Sequence, residues 1–142
     1  MKSCNSFFIS MKNIVLSIVM CMSSMWLSCQ PKQSFQSVSV DKFEQLIADT
    51  SYILLDVRTA AEYAEGHIPG THSNIDVLQE GFEAKALVAI PKGKSVALYC
   101  RSGNRSKKAA RLLSEKGYQV VELSTGFKGW AAAGKPLETL EE

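Results

Sequence analysis

Between residues 37 and 138 the chain alternates short apolar runs with segments whose apolar residues recur at helical spacing. Ser37–Val40 predicts a short first strand. Asp41, with Glu44 three residues on, predicts a capping box that opens a helix in which Phe43, Leu46 and Ile47 share a face. Tyr52–Val57 is an apolar run ending in Asp56 and Arg58, as expected of a strand buried on both faces. A short helix over Ala60–Glu65 stops at Gly66, and His67-Ile68-Pro69-Gly70 forms a turn, because proline fixes φ and glycine relaxes it. Thr71–Ile75 predicts a third, short strand and Phe82–Ala89 a helix; Pro91-Lys92-Gly93-Lys94 is a turn, and Ser95–Tyr99 a fourth buried strand. Ser106–Lys116 is the clearest helix, with Ala109, Leu112 and Leu113 inward and Gly117 as its stop. Gln119–Leu123 predicts a fifth strand, and Gly126–Ala133 a last short helix closed by Gly134 and Pro136. Strands alternating with helices imply an α/β fold with right-handed crossovers and a mainly parallel sheet. Ligands of such sheets bind at the carboxyl ends of the strands, where both Asp56-Val57-Arg58 and Cys100 fall.

The first 28 residues follow another pattern. They carry Lys2 and Lys12 and no acidic residue, and Ile14–Leu27 is apolar apart from serines. At 14 residues this run falls short of the roughly 20 that cross a bilayer. A charged start, a short apolar stretch and the small Ser28 at its end predict a secretory signal peptide over residues 1–28. Met11-Lys12-Asn13 before Ile14 would itself make a compact signal start, so Met1 and Met11 both qualify as initiator. Cys29 sits where bacterial lipoproteins carry their lipid-modified cysteine, and residues 29–36 read as a polar tether. Its context, Trp26-Leu27-Ser28-Cys29, fits that processing box at Ser28 but not at Trp26. The expectation is an exported domain, periplasmic or in the cell envelope, anchored through Cys29.

Loss of the two signal lysines cancels the formal charge of +2 and leaves 14 basic and 14 acidic residues. A neutral domain speaks against wholesale binding of nucleic acid or anionic membrane, so any membrane contact is expected through the lipid at Cys29 alone. Cys4 and Cys21 leave with the signal. With Cys29 acylated, Cys100 has no partner for an intramolecular disulfide, and its neighbours must explain it.

Those neighbours are Arg101-Ser102-Gly103-Asn104-Arg105-Ser106, a loop leading straight from the fourth strand into the clearest helix. A loop that wraps onto a helix start aims several backbone N–H groups at one point, and the helix dipole adds about half a positive charge there. Residues 101–116 hold six basic side chains against the single acidic Glu115. Gly103 and Asn104 tolerate the positive φ that a tight cradle needs. Such surroundings stabilise a thiolate; cysteine pKa values fall from about 8.5 to roughly 3.5–7.5 in comparable settings. A nucleophilic Cys100 in an anion-holding cradle is the resulting expectation.

This loop, together with Asp56-Val57-Arg58, Glu62-Tyr63, Gly66-His67-Ile68-Pro69-Gly70, Asn74-Ile75 and Gly126-Phe127-Lys128-Gly129-Trp130, resembles the rhodanese homology domain over residues 37–138. Thr71 is the main local departure, standing where that family usually has alanine. The resemblance implies a five-stranded, mainly parallel sheet flanked by helices on both faces. It also implies a sulfurtransferase that needs no cofactor. Cys100 would attack the outer sulfur of a small anionic donor such as thiosulfate, and its persulfide would pass sulfur to cyanide, a thiol or a protein acceptor. Covalent catalysis of this kind divides one hard transfer into two easier ones. The N–H groups of Arg101, Ser102, Gly103, Asn104 and Arg105, followed by Ser106, would hold the persulfide, while the Arg101 and Arg105 side chains attract the donor. Asp56 and Arg58 are expected to brace the loop or pair locally, Arg58 with Glu62. The resemblance places His67 in a structural turn, and Trp130 is expected to be core or pocket wall.

Two other readings compete. Cysteine phosphatases and arsenate reductases cradle oxyanions on a similar loop, but place five residues between cysteine and arginine where four separate Cys100 from Arg105. The smaller ring suits one sulfur atom better than a tetrahedral phosphate. A persulfide carrier that presents sulfur to a partner without turnover shares the first chemical step. Metal binding is set aside, since there is no Cys-x-x-Cys and His67 and His72 have no second ligand pair near them.

Overall fold

The computed structural model describes residues 35–140; the expected signal peptide and Cys29 lie outside the described residues. Five strands, β1 (Gln36–Val38), β2 (Tyr52–Asp56), β3 (Ser73–Asn74), β4 (Ser95–Tyr99) and β5 (Val120–Leu123), form one sheet in the order β1-β5-β4-β2-β3. Every pairing is parallel, with Leu55 opposite Leu98 and Asp56 opposite Tyr99 in the β2–β4 ladder. The helices are α1 (Val40–Ile47), α2 (Ala60–Glu65), α3 (Phe82–Ala89), α4 (Asn104–Glu115) and α5 (Gly126–Ala132).

The strands are apolar on both faces because helices cover both. Ile53, Leu55, Val96, Leu98 and Val120 pack with Phe82 and Ala86 of α3 and Ala109, Ala110 and Leu113 of α4. The intervening Leu54, Ala97, Tyr99, Val121 and Leu123 pack with Phe43 of α1 and Trp130 of α5. Trp130 is core, as the sequence predicts; its indole N–H donates to the Pro136 carbonyl at 2.8 Å.

Differences from the sequence reading lie at element ends and have local causes. Val40 begins α1 instead of ending β1, because extended Ser39 is the cap and accepts the Lys42 N–H at 3.4 Å. The expected box of Asp41 and Glu44 does not form: Asp41 lies inside the first turn, and Glu44 takes the Lys135 ammonium at 2.6 Å. The box forms instead at α2, where Thr59 and Glu62 satisfy each other's backbone N–H groups. The third strand shrinks to Ser73–Asn74. The clearest helix begins two residues early, at Asn104, so Asn104, Arg105 and Ser106 form its first turn.

Candidate active site

Cys100 follows Tyr99, the last residue of β4, at the carboxyl edge of the sheet between β2 and β5. Its side chain is 1% exposed, and it is the free cysteine among the described residues. The Gly103 N–H donates to Sγ at 3.2 Å, and Sγ lies 3.5 Å from the Ser106 hydroxyl oxygen. Gly103 caps α4 with φ 93°, a conformation that turns the chain sharply enough for its own N–H to point back at the sulfur. Arg101, Ser102 and Asn104 stand exposed around the thiol, while Gly103 and Ser106 are buried.

Two close glycine approaches and two backbone hydrogen bonds fix the loop from behind. A Cβ on Gly103 would meet the Ser124 carbonyl oxygen at 2.1 Å, and one on Gly126 would meet Cys100 O and Ser102 N at 2.6 Å. Only glycine lets these two backbones nest. The Phe127 and Lys128 N–H groups, at the start of α5, then donate to the Cys100 and Arg101 carbonyls at 2.7 and 3.0 Å. Phe127 in turn carries the Arg58 guanidinium 4.1 Å above its ring.

Arg58 and Asp56 brace the site, but Arg58 does not pair with Glu62. Arg58 is 2% exposed, and its Nε and Nη2 donate to Asp56 at 2.8 and 2.6 Å, with Nη2 also reaching the Gly66 carbonyl at 2.6 Å. Burial draws it to Asp56, itself fully buried, whereas Glu62 is 24% exposed and faces Arg105. Asn74 completes the brace by donating to the Arg58 and Asp56 carbonyls at 2.9 and 3.2 Å. Arg58→Lys keeps the charge but loses the planar fork. We expect it to lower stability by about 2 kcal/mol in urea unfolding, the worth of one or two charge-assisted hydrogen bonds.

Glu62 belongs to Arg105. The two form a double hydrogen bond at 2.8 and 2.7 Å, joining α2 to the first turn of α4. Arg105 is thus paired with a carboxylate and does not stand free over the thiol; among the loop arginines, Arg101 is the exposed one. The Arg105 bond, with the Thr59 N–H, holds the Glu62 carboxyl at about 2, against an ordinary 4.5. A depressed carboxylate pKa gives stability that is complete above about 4.5 and is lost as pH falls toward 2. Glu62→Gln should therefore cost about 1 kcal/mol at neutral pH, the pair being partly solvated. The difference from the parent protein should close in unfolding curves taken below the lower value.

His67 takes a structural place. Its ring stacks on Tyr63 with centroids 4.0 Å apart, Nδ1 lies 3.2 Å from the Tyr63 carbonyl and Nε2 3.7 Å from Glu138. Thr71 fits as well: its hydroxyl donates to the Ile68 carbonyl at 2.6 Å and meets the Tyr99 hydroxyl at 3.1 Å. Burial pushes the Tyr99 hydroxyl up, so it stays neutral and can receive the Ile68 N–H at 3.1 Å.

One group at the site escaped the sequence reading. Glu122 of β5 is fully buried, and its Oε2 accepts the Ser106 hydroxyl at 2.8 Å. The signal was a lone charge in the otherwise apolar Val120-Val121-Glu122-Leu123. A groove of about 650 Å³ lined by Leu87, Lys92, Lys94, Lys116, Tyr118 and Gln119 lies at the opposite, amino edge of β4 and β5 and does not include Cys100. Among the described residues no cluster of three or more His, Cys, Asp or Glu side chains is placed to hold a metal ion.

Comparison with known proteins agrees with this geometry. Residues 39–133 match the Rhodanese-like domain family. A protein of Allochromatium vinosum named sulfurtransferase is 38% identical over 104 residues, covering 70% of this chain and 92% of its own. A Bacillus subtilis protein provisionally named a sulfurtransferase, YtwF, is 34% identical over 66% of this chain and 86% of its own. Among solved structures, a rhodanese-related protein of Thermoplasma volcanium superposes with a TM-score of 0.65 at 28% identity, covering 73% of this chain and 98% of that one. A rhodanese-like domain protein of Staphylococcus aureus gives 0.63 at 26% identity, covering 75% and 100%. With the sheet order, the cysteine at the carboxyl end of β4 and two thirds of its length matched, this chain belongs to the rhodanese-like domain family of sulfurtransferases and sulfur carriers.

Proposed function

We propose that the protein is a thiosulfate-type sulfurtransferase that carries sulfane sulfur on Cys100. The observation that carries this reading is the Gly103 N–H, 3.2 Å from Sγ at the start of α4, which places a fixed donor on the atom where negative charge must rest. In the first step the thiolate attacks the outer sulfur of thiosulfate; an S–S bond forms at Cys100 as the donor's S–S bond breaks, and sulfite leaves with its electron pair. In the second step cyanide or a thiol attacks the terminal sulfur, and the Cys100 thiolate leaves. A sulfur bonded about 2 Å beyond Sγ reaches toward the rim of Arg101, Ser102 and Asn104, where their N–H groups and the exposed Arg101 guanidinium can meet an anion.

Purified protein supplied with thiosulfate and cyanide should form thiocyanate and should leave an aryl phosphate intact. Aryl phosphate turnover without thiocyanate would replace this reading with the phosphatase one. Slow turnover with fast sulfur exchange to one protein would favour the carrier, a use suggested by a Bacillus subtilis relative, 30% identical over 105 residues and provisionally named a sulfur carrier protein. We further propose export and lipid anchoring at Cys29. Mass spectrometry of the mature amino terminus tests both, and an unmodified Cys29 thiol rules out the anchor.

A further inference from the structure

The buried charges of this domain are not all paired. Asp56 and Arg58 neutralise each other, but Glu122 is fully buried with no cation within salt-bridge distance among the described residues. Its partners are two hydroxyls: Ser37 of β1 donates to Oε1, and Ser106 of α4 donates to Oε2 at 2.8 Å. A carboxylate buried without a cation depends on such hydroxyl donors for its stabilisation. The Ser106 hydroxyl connects it to the thiol, standing 3.5 Å from Sγ.

We propose that Glu122 is a positioning residue that holds the Cys100 proton through Ser106, so that thiol and carboxyl share one proton and one negative charge. Ser106 has a single hydroxyl proton to give, to Glu122 at 2.8 Å or to the Gly103 carbonyl at 2.9 Å, and its oxygen can accept the thiol proton. In the transfer the S–H bond breaks and that proton binds Oγ, while the proton formerly on Oγ passes to Oε2. Sulfur keeps the electron pair and becomes the thiolate; the carboxyl becomes neutral. The buried charge remains one throughout. During sulfur transfer the persulfide inherits the thiolate's charge, and when the sulfur departs Glu122 can return the proton.

The surroundings favour such sharing. Glu122 lies between Ser37 of β1 and Leu98 of β4 in the sheet, and α4 presents Ser106, Ala109, Ala110 and Leu113 to that side. Of the basic residues on the loop and the first turns of α4, Arg105 is tied to Glu62, and Arg101, Lys107 and Lys108 are exposed. Among the described residues Glu122 has no ion-pair partner, so a second negative charge beside it would be repelled with little relief.

The test reads Cys100 alkylation by iodoacetamide in the full chain, peptide by peptide, from about pH 4 to 11, since the rate follows the thiolate fraction. The parent protein should show two steps separated by more than about one pH unit. Glu122→Gln, which keeps shape and hydrogen bonding, should leave one step and bring the upper one down by about a unit or more. Ser37→Ala, at an exposed position, removes a hydrogen bond to the ionised carboxylate and should shift the shared charge onto sulfur, raising the rate at neutral pH roughly fivefold. A single step in the parent protein that neither substitution moves would overturn the proposal. The idea depends on sulfur transfer for its purpose only. Coupled steps without sulfur uptake would keep the shared proton and remove the transferase reading.

Discussion

Cys100→Ser is expected to reduce thiocyanate formation to background while moving the melting temperature by no more than about 2 °C, roughly half a kcal/mol for a domain of this size. The chemistry is lost because a serine hydroxyl stays protonated at neutral pH and forms no persulfide. The fold is kept because the replacement hydroxyl is close to a thiol in size and finds partners where Sγ had them, the Gly103 N–H at 3.2 Å and the Ser106 hydroxyl at 3.5 Å. A buried hydroxyl with both a donor and an acceptor costs little. Circular dichroism and a melting curve, run beside the assay, separate lost chemistry from lost structure.

Gly126→Ala should lower sulfur transfer by about 100-fold, although Gly126 touches no substrate. Its Cβ would stand 2.6 Å from both the Cys100 carbonyl oxygen and the Ser102 nitrogen, and its φ of 61° already disfavours a side chain. Backbone cannot swing aside as a flexible side chain can, so either the cysteine loop or the start of α5 must move. Either movement breaks the Phe127 N–H bond to the Cys100 carbonyl, 2.7 Å long, that sets the height of the loop. A displacement of about an ångström is enough to spoil an attack geometry. Stability should fall as well, by about 1–3 kcal/mol for the strained φ and the overpacking. Retained activity in a folded Gly126→Ala protein would show that the loop is not held from this side.

The alternation of strands and helices was legible because burial on both sheet faces forces apolar runs such as Ile53–Leu55 and Val96–Leu98 between amphipathic helices. Cys100 was legible for a related reason: it ends an apolar strand and begins a glycine-containing basic loop, features that are local in sequence. What escaped was long-range pairing. Nothing near Glu62 indicates Arg105, 43 positions away, and Arg58 looked like the nearer cation until burial assigned it to Asp56. Ser39 escaped as a cap because Asp41 offers the same chemistry two residues later. Glu122 could have been found, since a carboxylate inside an apolar strand demands a partner, but its link to the thiol runs through Ser106 on another element.

The account stands on one physical claim, that the sulfur at the end of β4 accepts and holds a second sulfur. Intact-mass measurement after thiosulfate treatment, with peptide mapping, tests it most directly. The predicted result is a gain of one sulfur atom located on Cys100 and removed by cyanide. A protein whose Cys100 peptide keeps its original mass through that treatment would contradict it.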